Sequence, residues 1–199
     1  MAGSDVKVQL ISDEVAADDN FIVTAARPNT TATLANSSFA SGGARLLAVS
    51  TAGTSDNGKT TTITGTDVFG STISEIITST GSAEAVNGAK YFLTVTSVVC
   101  SAQYAGNIIV GSQAGAAQSV LANRVRLRGY SIVSGGSAGI VEFVDGTPED
   151  GTVLFKARTI GTDNTTVDNT IPDEGIVFEN GLSIKYTVGT IDLMNFFYA

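Results

Sequence analysis

The sequence predicts an all-β fold made of two small antiparallel β-sandwich or jelly-roll-like domains. Short apolar and β-branched runs recur from about residue 40 onward, and Gly, Asn, Asp and Ser separate them. The i, i+3, i+4, i+7 spacing of long amphipathic helices is scarce. In the longer runs apolar and polar residues alternate, which is typical of strands with one buried face. We therefore expect strands throughout.

Residues 1–40 are predicted to form an irregular N-terminal arm. Val6 to Ile11 suits a first strand, Asp13 to Asp19 an acidic turn or short helix, and Arg27 to Ser41 an extended segment. Such an arm can pack on its own domain or reach a neighbouring subunit, and the sequence is compatible with both.

The first β domain is predicted over residues 41–112 and the second over residues 124–199. Residues 113–123 between them are small and uncharged, which favours a short interdomain linker with room for one helical turn. The first domain has candidate strands at Arg45–Thr51, Thr60–Gly65, Thr72–Thr78, Tyr91–Val99 and Asn107–Val110. The second has them at Val125–Val133, Gly139–Val144, Thr152–Thr159, Val167–Ile171, Leu182–Val188 and Ile191–Tyr198.

The strand from Leu182 shows the alternation most clearly. Leu182, Ile184, Tyr186 and Val188 fall on one face, and Ser183, Lys185 and Thr187 fall on the other. We therefore expect the apolar face to be buried.

Composition argues against several classes of function. The chain has no histidine, the commonest general base and metal ligand, so hydrolase and zinc-site chemistry is disfavoured. Its single cysteine, Cys100, is expected to be a small buried hydrophobe. A net charge of −8 argues against a nucleic-acid partner. We expect neither a secretory signal nor a membrane span, and no cofactor.

Residues 53–60, Gly-Thr-Ser-Asp-Asn-Gly-Lys-Thr, match the G-x-x-x-x-G-K-[ST] pattern of a phosphate-binding loop. A true phosphate loop precedes a helix, whereas Thr60 to Thr66 is a β-branched run with good strand propensity. Asp56 would also place a carboxylate beside the phosphates. The pattern therefore favours a hairpin whose turn, Ser55 to Gly58, uses Asn-Gly for positive φ angles. We expect no enzyme activity.

Arg124, Arg126 and Arg128 alternate with Val125 and Leu127, so a strand would place all three guanidinium groups on one face. One interpretation is a basic stripe that binds an acidic neighbouring subunit. The other is a solvated face paired with Glu142, Asp145 or Glu179 of the same domain.

The final strand has apolar residues on both faces, including Phe196, Phe197 and Tyr198. This is typical of a central strand inside a sandwich, and it also suits a contact between subunits. These three aromatic residues and the three arginines are the candidate interface residues.

Acidic turns offer a weaker hypothesis. Residues 145–151 and 173–175 could bind calcium through carboxylate oxygens, although neither they nor residues 163–168 have EF-hand spacing. Asp, Pro and Gly are also ordinary turn residues. Carboxylate pairs for glycoside hydrolysis cannot be placed in space from the sequence.

Two groups of segments resemble proteins of tailed bacteriophages. Residues 44–49, 62–70, 75–78 and 90–98 resemble a β module common in phage structural proteins. Residues 127–133, 141–146 and 171–182 resemble small β-sandwich proteins from the same source. Both groups are strand-and-turn patterns without catalytic residues, so the resemblance implies no site residues.

The resemblance implies a virion component made in the cytoplasm of the bacterial host. We expect a capsid decoration or cement protein that binds the major capsid protein or other virion proteins as a symmetric oligomer, with a trimer favoured. The alternatives are a tail, baseplate or head-fibre protein and, in a different class, a carbohydrate-binding adhesin module.

Overall fold

The computed structural model describes residues 6–12, 16–39, 43–52, 54–81, 84–162 and 164–199. They confirm an all-β fold with antiparallel strand pairing. Within these ranges no helix is long and apolar enough to cross a bilayer. The strands are β1 Lys7–Ser12, β2 Val23–Ala26, β3 Ala44–Thr51, β4 Thr60–Thr66, β5 Thr72–Thr78, β6 Val86–Phe92, β7 Thr94–Cys100, β8 Ile108–Leu121, β9 Val125–Ser134, β10 Ile140–Asp145, β11 Thr152–Arg158, β12 Thr166–Thr170, β13 Ile176–Phe178, β14 Leu182–Thr187 and β15 Ile191–Tyr198.

One compact unit comprises residues 1–16 and 115–199. One of its layers has the strand order β1-β15-β9-β12, with β13 also paired to β9. The other contains β11, β10, β14 and the part of β8 from Gly115 onward. The two layers enclose an aromatic core, in which Phe143 of β10 packs against Tyr130 of β9 and Phe196 of β15. This arrangement is consistent with a β-sandwich.

The other compact unit comprises residues 17–114. It contains the three-stranded sheet β5-β4-β7. It also contains the first part of β8, β3 and β6, which pair in that order, and β2, which pairs with β8. Isolated bridges from Thr31 and Ser38 reach Val99 and Thr94 of β7. The core of this unit includes Ile63, Phe92 and Tyr104.

The N-terminal residues do not form one arm. β1 confirms the predicted first strand, and its two ends each lie one residue later than predicted. It pairs with β15, from the other end of the chain. Residues 17–39 belong to the other unit, where β2 pairs with β8. Residues 13–15 of the predicted acidic turn and residues 40 and 41 of the predicted extended segment lie outside the described residues.

The interval predicted as a linker is mostly strand. Residues 113–121 are the second part of β8, and Ala116, Ala117 and Val120 within it are buried. The boundary between the two compact units falls inside the interval predicted as a linker, but a strand stands there in place of a short linker with one helical turn, because the prediction relied on the small size of these side chains. Backbone pairing to β14 requires no large side chains, and small ones fit inside a sandwich.

Two further elements differ from the prediction. The run Tyr91–Val99 was expected to be one strand, but β6 ends at Phe92, β7 begins at Thr94, and the two strands belong to different sheets. The short strands β2 and β13 were not predicted, since runs of three or four residues show little periodicity. In β14, burial of Leu182, Ile184 and Tyr186 confirms the predicted face.

Candidate functional site

The segment that matches the phosphate-loop pattern forms a tight turn. Thr54–Asp56 is a single 3-10 turn, Gly58 has a φ of 78°, and β4 begins at Thr60. The predicted turn and the strand after Lys59 are therefore confirmed. The predicted hairpin is wrong, because β3 pairs with β6 whereas β4 pairs with β5 and β7. The turn carries the chain from one sheet to another.

Asp56 is the centre of this turn, and its side chain is fully buried. Its Oδ1 accepts hydrogen bonds from the N–H of Ala105 at 2.6 Å and from the ammonium of Lys59 at 2.8 Å. The N–H of Gly106 donates to Oδ2 at 3.4 Å. Burial by itself would raise the pKa of Asp56, but these hydrogen bonds and the charge of Lys59 outweigh it, so the pKa is lowered. The carboxylate is therefore charged, and both of its oxygens accept hydrogen bonds from the same chain.

Lys59 joins the same contact. Its ammonium also donates to the carbonyl of Gln103 at 2.6 Å and lies 5.4 Å from the centre of the Tyr104 ring. The Tyr104 hydroxyl is 2.8 Å from that of Thr61, and burial raises the pKa of Tyr104. We call Asp56, Lys59 and Tyr104 the Asp56 clamp, because together they hold residues 103–106 against the turn. The ammonium that would bind a phosphate in a true phosphate loop here donates to a carboxylate and a backbone carbonyl of its own chain.

The three arginines of the predicted stripe all contact residues 173–179 of their own chain. Arg124 pairs with Glu179 at 2.6 Å, as one interpretation expected, and Arg126 pairs with Glu174 at 3.3 Å. Arg128 donates from Nη1 to the carbonyl of Asp173 at 3.0 Å. These contacts are largely exposed, so each contributes little to stability.

The three C-terminal aromatic residues are divided between the two faces of β15, which lies between β1 and β9. Phe196 and Tyr198 are buried in the core, whereas Phe197 is 37% exposed. Phe197 lies opposite Gly129 on β9 and Val8 on β1. Within this chain, only Phe197 of the three presents surface to a partner.

Glu142, which the sequence offered as a partner for the arginines, pairs with two lysines instead. It sits on β10 between Lys156 of β11 and Lys185 of β14, with Nζ–carboxylate distances of 2.5 and 3.0 Å. The hydrogen bond from Lys156 lowers the pKa of Glu142, burial opposes the shift, and Lys185 adds to it. This contact joins three adjacent strands.

The acidic turn at residues 145–151 is tied by hydrogen bonds to Asn180. Asp145 accepts from the backbone N–H of Asn180 at 2.7 Å and from its side-chain amide at 3.3 Å. Asp163 lies outside the described residues. Across the part of the chain that the structure describes, no group of three or more His, Cys, Asp or Glu side chains is arranged to hold a metal ion.

A hydroxyl-rich face on sheet β5-β4-β7 was missed from the sequence. Thr60, Thr62, Thr64 and Thr66 alternate along β4 with the buried Thr61, Ile63 and Gly65. Cross-strand hydroxyl contacts link Thr66 to Thr94 at 2.7 Å and Thr64 to Ser74 at 3.4 Å. In the sequence, a threonine at every second position of this run was the pattern that could have predicted the face. Hydroxyls bonded to one another in this way suit a contact surface better than a nucleophile, which needs an adjacent base.

A second surface was also missed, on the edge strand β1. Val8 and Leu10 are 57% and 58% exposed, and they alternate with Lys7 and Gln9. The sequence showed the alternation of polar and apolar residues in this strand. Alternation identifies an apolar face, but it does not show whether that face points toward the core or toward solvent.

No protein-family model matches the chain, and no curated protein matches it. Its function therefore has to be inferred from residue chemistry, sheet architecture and the resemblance of its strand-and-turn segments.

Proposed function

We propose that this chain is a non-enzymatic structural component of a bacteriophage virion. Its most direct role is that of a capsid decoration or cement protein, which binds the shell as a symmetric oligomer and stabilises it. A trimer is favoured, and the partner is the major capsid protein or another virion protein.

The observation that carries this proposal is the correspondence between the phage-like segments and the framework of both compact units. Residues 44–49 form most of β3, residues 62–70 cover β4 and the following turn, and residues 90–98 cover the β6–β7 junction. Residues 127–133 lie in β9, residues 141–146 cover β10, and residues 171–182 lead through β13 into β14. The resemblance therefore concerns the strands that build the sandwiches.

The charged groups support a structural role. Lys59 and Asp56 hold a loop, Glu142 joins three strands, and Arg124 pairs with Glu179. Each of these charged side chains contacts another group of the same chain, whereas a catalytic group has to contact a substrate. The hydroxyl face of β4 and the apolar face of β1 offer surfaces for protein contacts of two different kinds.

The proposed mechanism is mechanical. A cement protein adds contact area across junctions between capsid subunits, and each square ångström of apolar surface removed from water contributes about 25 cal/mol. An oligomer binds through several copies at once, which raises its effective affinity without new kinds of contact. Loss of shell subunits then requires several contacts to break together.

The test is to image particles of the phage that encodes the chain, with and without its gene, by electron cryomicroscopy. We expect regular density over capsomer junctions that disappears in the deletion particles, together with earlier release of DNA on heating. Density confined to the tail or a fibre would overturn the capsid role and support the alternative virion location. Binding of the isolated protein to glycans, with none to capsids, would support the adhesin class.

A further inference from the structure

The edge strand β1 exposes two aliphatic side chains, Val8 and Leu10, whereas its third aliphatic residue, Ile11, is buried in the core. Val8 and Leu10 point away from the core, whereas Lys7 and Gln9 lie opposite the core residues Tyr198 and Phe196. Val6, just before the strand, is also exposed. The solvent face of an antiparallel sheet is normally polar. The exposure of both Val8 and Leu10 therefore favours a partner that covers the outward face of β1.

Among the residues that the structure describes, nothing gives the other edge of β1 the usual protection against pairing with another strand. Native edges are shielded by charges, prolines, bulges or covering elements. β1 contains one charge, Lys7, no proline or glycine, and no break in its register with β15.

Other edges in the described part of the chain differ. β11 carries Lys156 and Arg158, and β12 carries Asp168. On β6, the carboxylate of Glu75 accepts hydrogen bonds from the backbone N–H groups of Ala89 and Lys90. Exposed aliphatic side chains also occur on the edge strands β5, at Ile76, and β11, at Leu154, but β1 carries two of them and only one charge.

The surface next to β1 continues its apolar, uncharged character. Val8, Phe197 and Gly129 form one cross-strand row, and Leu10, Asn195 and Ser131 form the next. None of these residues is charged, although the chain as a whole carries a net charge of −8. A second copy can approach this surface without placing like charges together.

We propose that β1 pairs with β1 of a second copy, antiparallel and about a twofold axis at Gln9. In this register Val8 lies opposite Leu10 of the second copy, and Leu10 lies opposite Val8, so both outward pairs are aliphatic. Lys7 lies opposite Ile11, and the two Lys7 positions are four residue steps apart, about 13 Å. That separation exceeds the Debye length of about 8 Å at physiological salt. The two β1-β15-β9-β12 sheets become one continuous sheet.

The contact is twofold and small. A pair of six-residue strands buries less than the roughly 1,600 Å² of a standard interface, so we expect a reversible, concentration-dependent dimer. The inference does not rest on the virion role. If the chain also forms trimers, this contact joins two of them.

Cysteine crosslinking tests the register. Directly opposed residues in an antiparallel pair have Cα atoms about 4.5 to 5.5 Å apart, within the range of a disulfide. The native Cys100 is buried, so the background is low. We expect Gln9→Cys to form a disulfide dimer under mild oxidation. Lys7→Cys, a matched control on the same face, should remain largely monomeric, because its counterpart is about 13 Å away.

Sedimentation measurements test the association itself. The wild-type chain should dimerise as concentration rises, and the double variant Val8→Lys, Leu10→Lys should remain monomeric. Ile76→Lys, a control at an equally exposed aliphatic residue of β5, should dimerise like the wild type. Circular dichroism verifies that each variant is folded.

Two results would overturn the proposal. One is a wild-type chain that stays monomeric up to about 1 mM. The other is equal crosslinking of Gln9→Cys and Lys7→Cys. If the chain is monomeric and β1 pairs with a strand of another protein, that protein, and not a second copy, is the partner of this edge. The cysteine variants keep the register testable even if the double lysine variant does not fold.

Discussion

The carboxylate of Asp56 and the ammonium of Lys59 lie 2.8 Å apart, and together they join a turn to a loop about fifty residues later in the chain. Both residues belong to the phosphate-loop pattern. In that pattern the lysine binds phosphates, whereas here it binds a carboxylate and the carbonyl of Gln103. The pair explains how a matching sequence produces a structural contact.

Asp56→Ala should destabilise the compact unit of residues 17–114 by about 2 to 4 kcal/mol, since it leaves the N–H groups of Ala105 and Gly106 and the Lys59 ammonium without their acceptor. Chemical denaturation measures the change. Glu179→Gln, which removes an exposed ion pair with Arg124, serves as a control and should have little effect. Equal effects of the two substitutions would contradict the role assigned to the clamp.

The chain should bind no nucleotide at the phosphate-loop pattern. Lys59 is already held by Asp56 and Gln103, and β4 follows it where a phosphate loop needs a helix N-terminus. Titration calorimetry with ATP and GTP up to about 1 mM should give no saturable heat. Lys59→Ala should behave identically in this assay. Binding that is lost in Lys59→Ala would show that the interpretation is wrong.

Stability should decrease in acid partly through Glu142. Its pKa is lower in the folded chain than in the unfolded one, because Lys156 and Lys185 favour the charged carboxylate. The contribution is therefore complete above about pH 4.3, the ordinary value for Glu, and is lost as pH falls through the folded pKa. Glu142→Gln should be less stable than the wild type at pH 7 by about 1 kcal/mol, and the difference should shrink toward pH 3. A difference that stays constant with pH would exclude this cause.

Truncation of two adjacent residues in β15 should change the stability of the chain by very different amounts. Phe196→Ala removes a fully buried ring that contacts Phe143, so it should cost about 3 to 5 kcal/mol. Phe197→Ala, at the next position, should change the stability of the monomer by less than about 1 kcal/mol. Urea denaturation of the two variants compares them directly. A chain that ends at Asn195 should fail to fold, because it lacks Phe196 and Tyr198.

Gly65→Ala should be destabilising by about 2 to 3 kcal/mol. Gly65 lies at a register shift between β4 and β7, where a Cβ atom would collide with the backbone carbonyl of Thr94. Gly136→Ala is the matched control, since its Cβ would meet no atom within 4 Å. The control should be neutral or slightly stabilising. Thermal melts of both variants test the difference, and a neutral Gly65→Ala would rule out the close approach.

Several elements were predictable because their signals are local. Alternation in Leu182–Thr187 indicated the buried face of β14, and the β-branched run after Lys59 indicated β4. Asn57-Gly58 marked the turn, where Gly58 adopts a positive φ. These features depend on residues within a few positions of one another.

The errors came from features that depend on distant partners. The small residues of 113–121 suggested a linker, but β14 supplies a partner that makes them a strand. Tyr91 to Val99 was predicted as one strand, and the division at Leu93 follows from the assignment of its two parts to different sheets. Of the candidate interface residues, Phe196 and Tyr198 proved to be core because the opposite layer covers their face of β15, where Phe143 packs against Phe196.

The sequence by itself determined the all-β class, most strand positions and the turn that replaces a phosphate loop. These follow from side-chain periodicity and backbone propensity, which act over short distances. The tertiary structure alone decided that β1 pairs with β15, that Asp56 is buried beside Ala105, and that Val8 and Leu10 point outward. Alternation defines two faces of a strand, but only the packing of distant strands determines which face is buried.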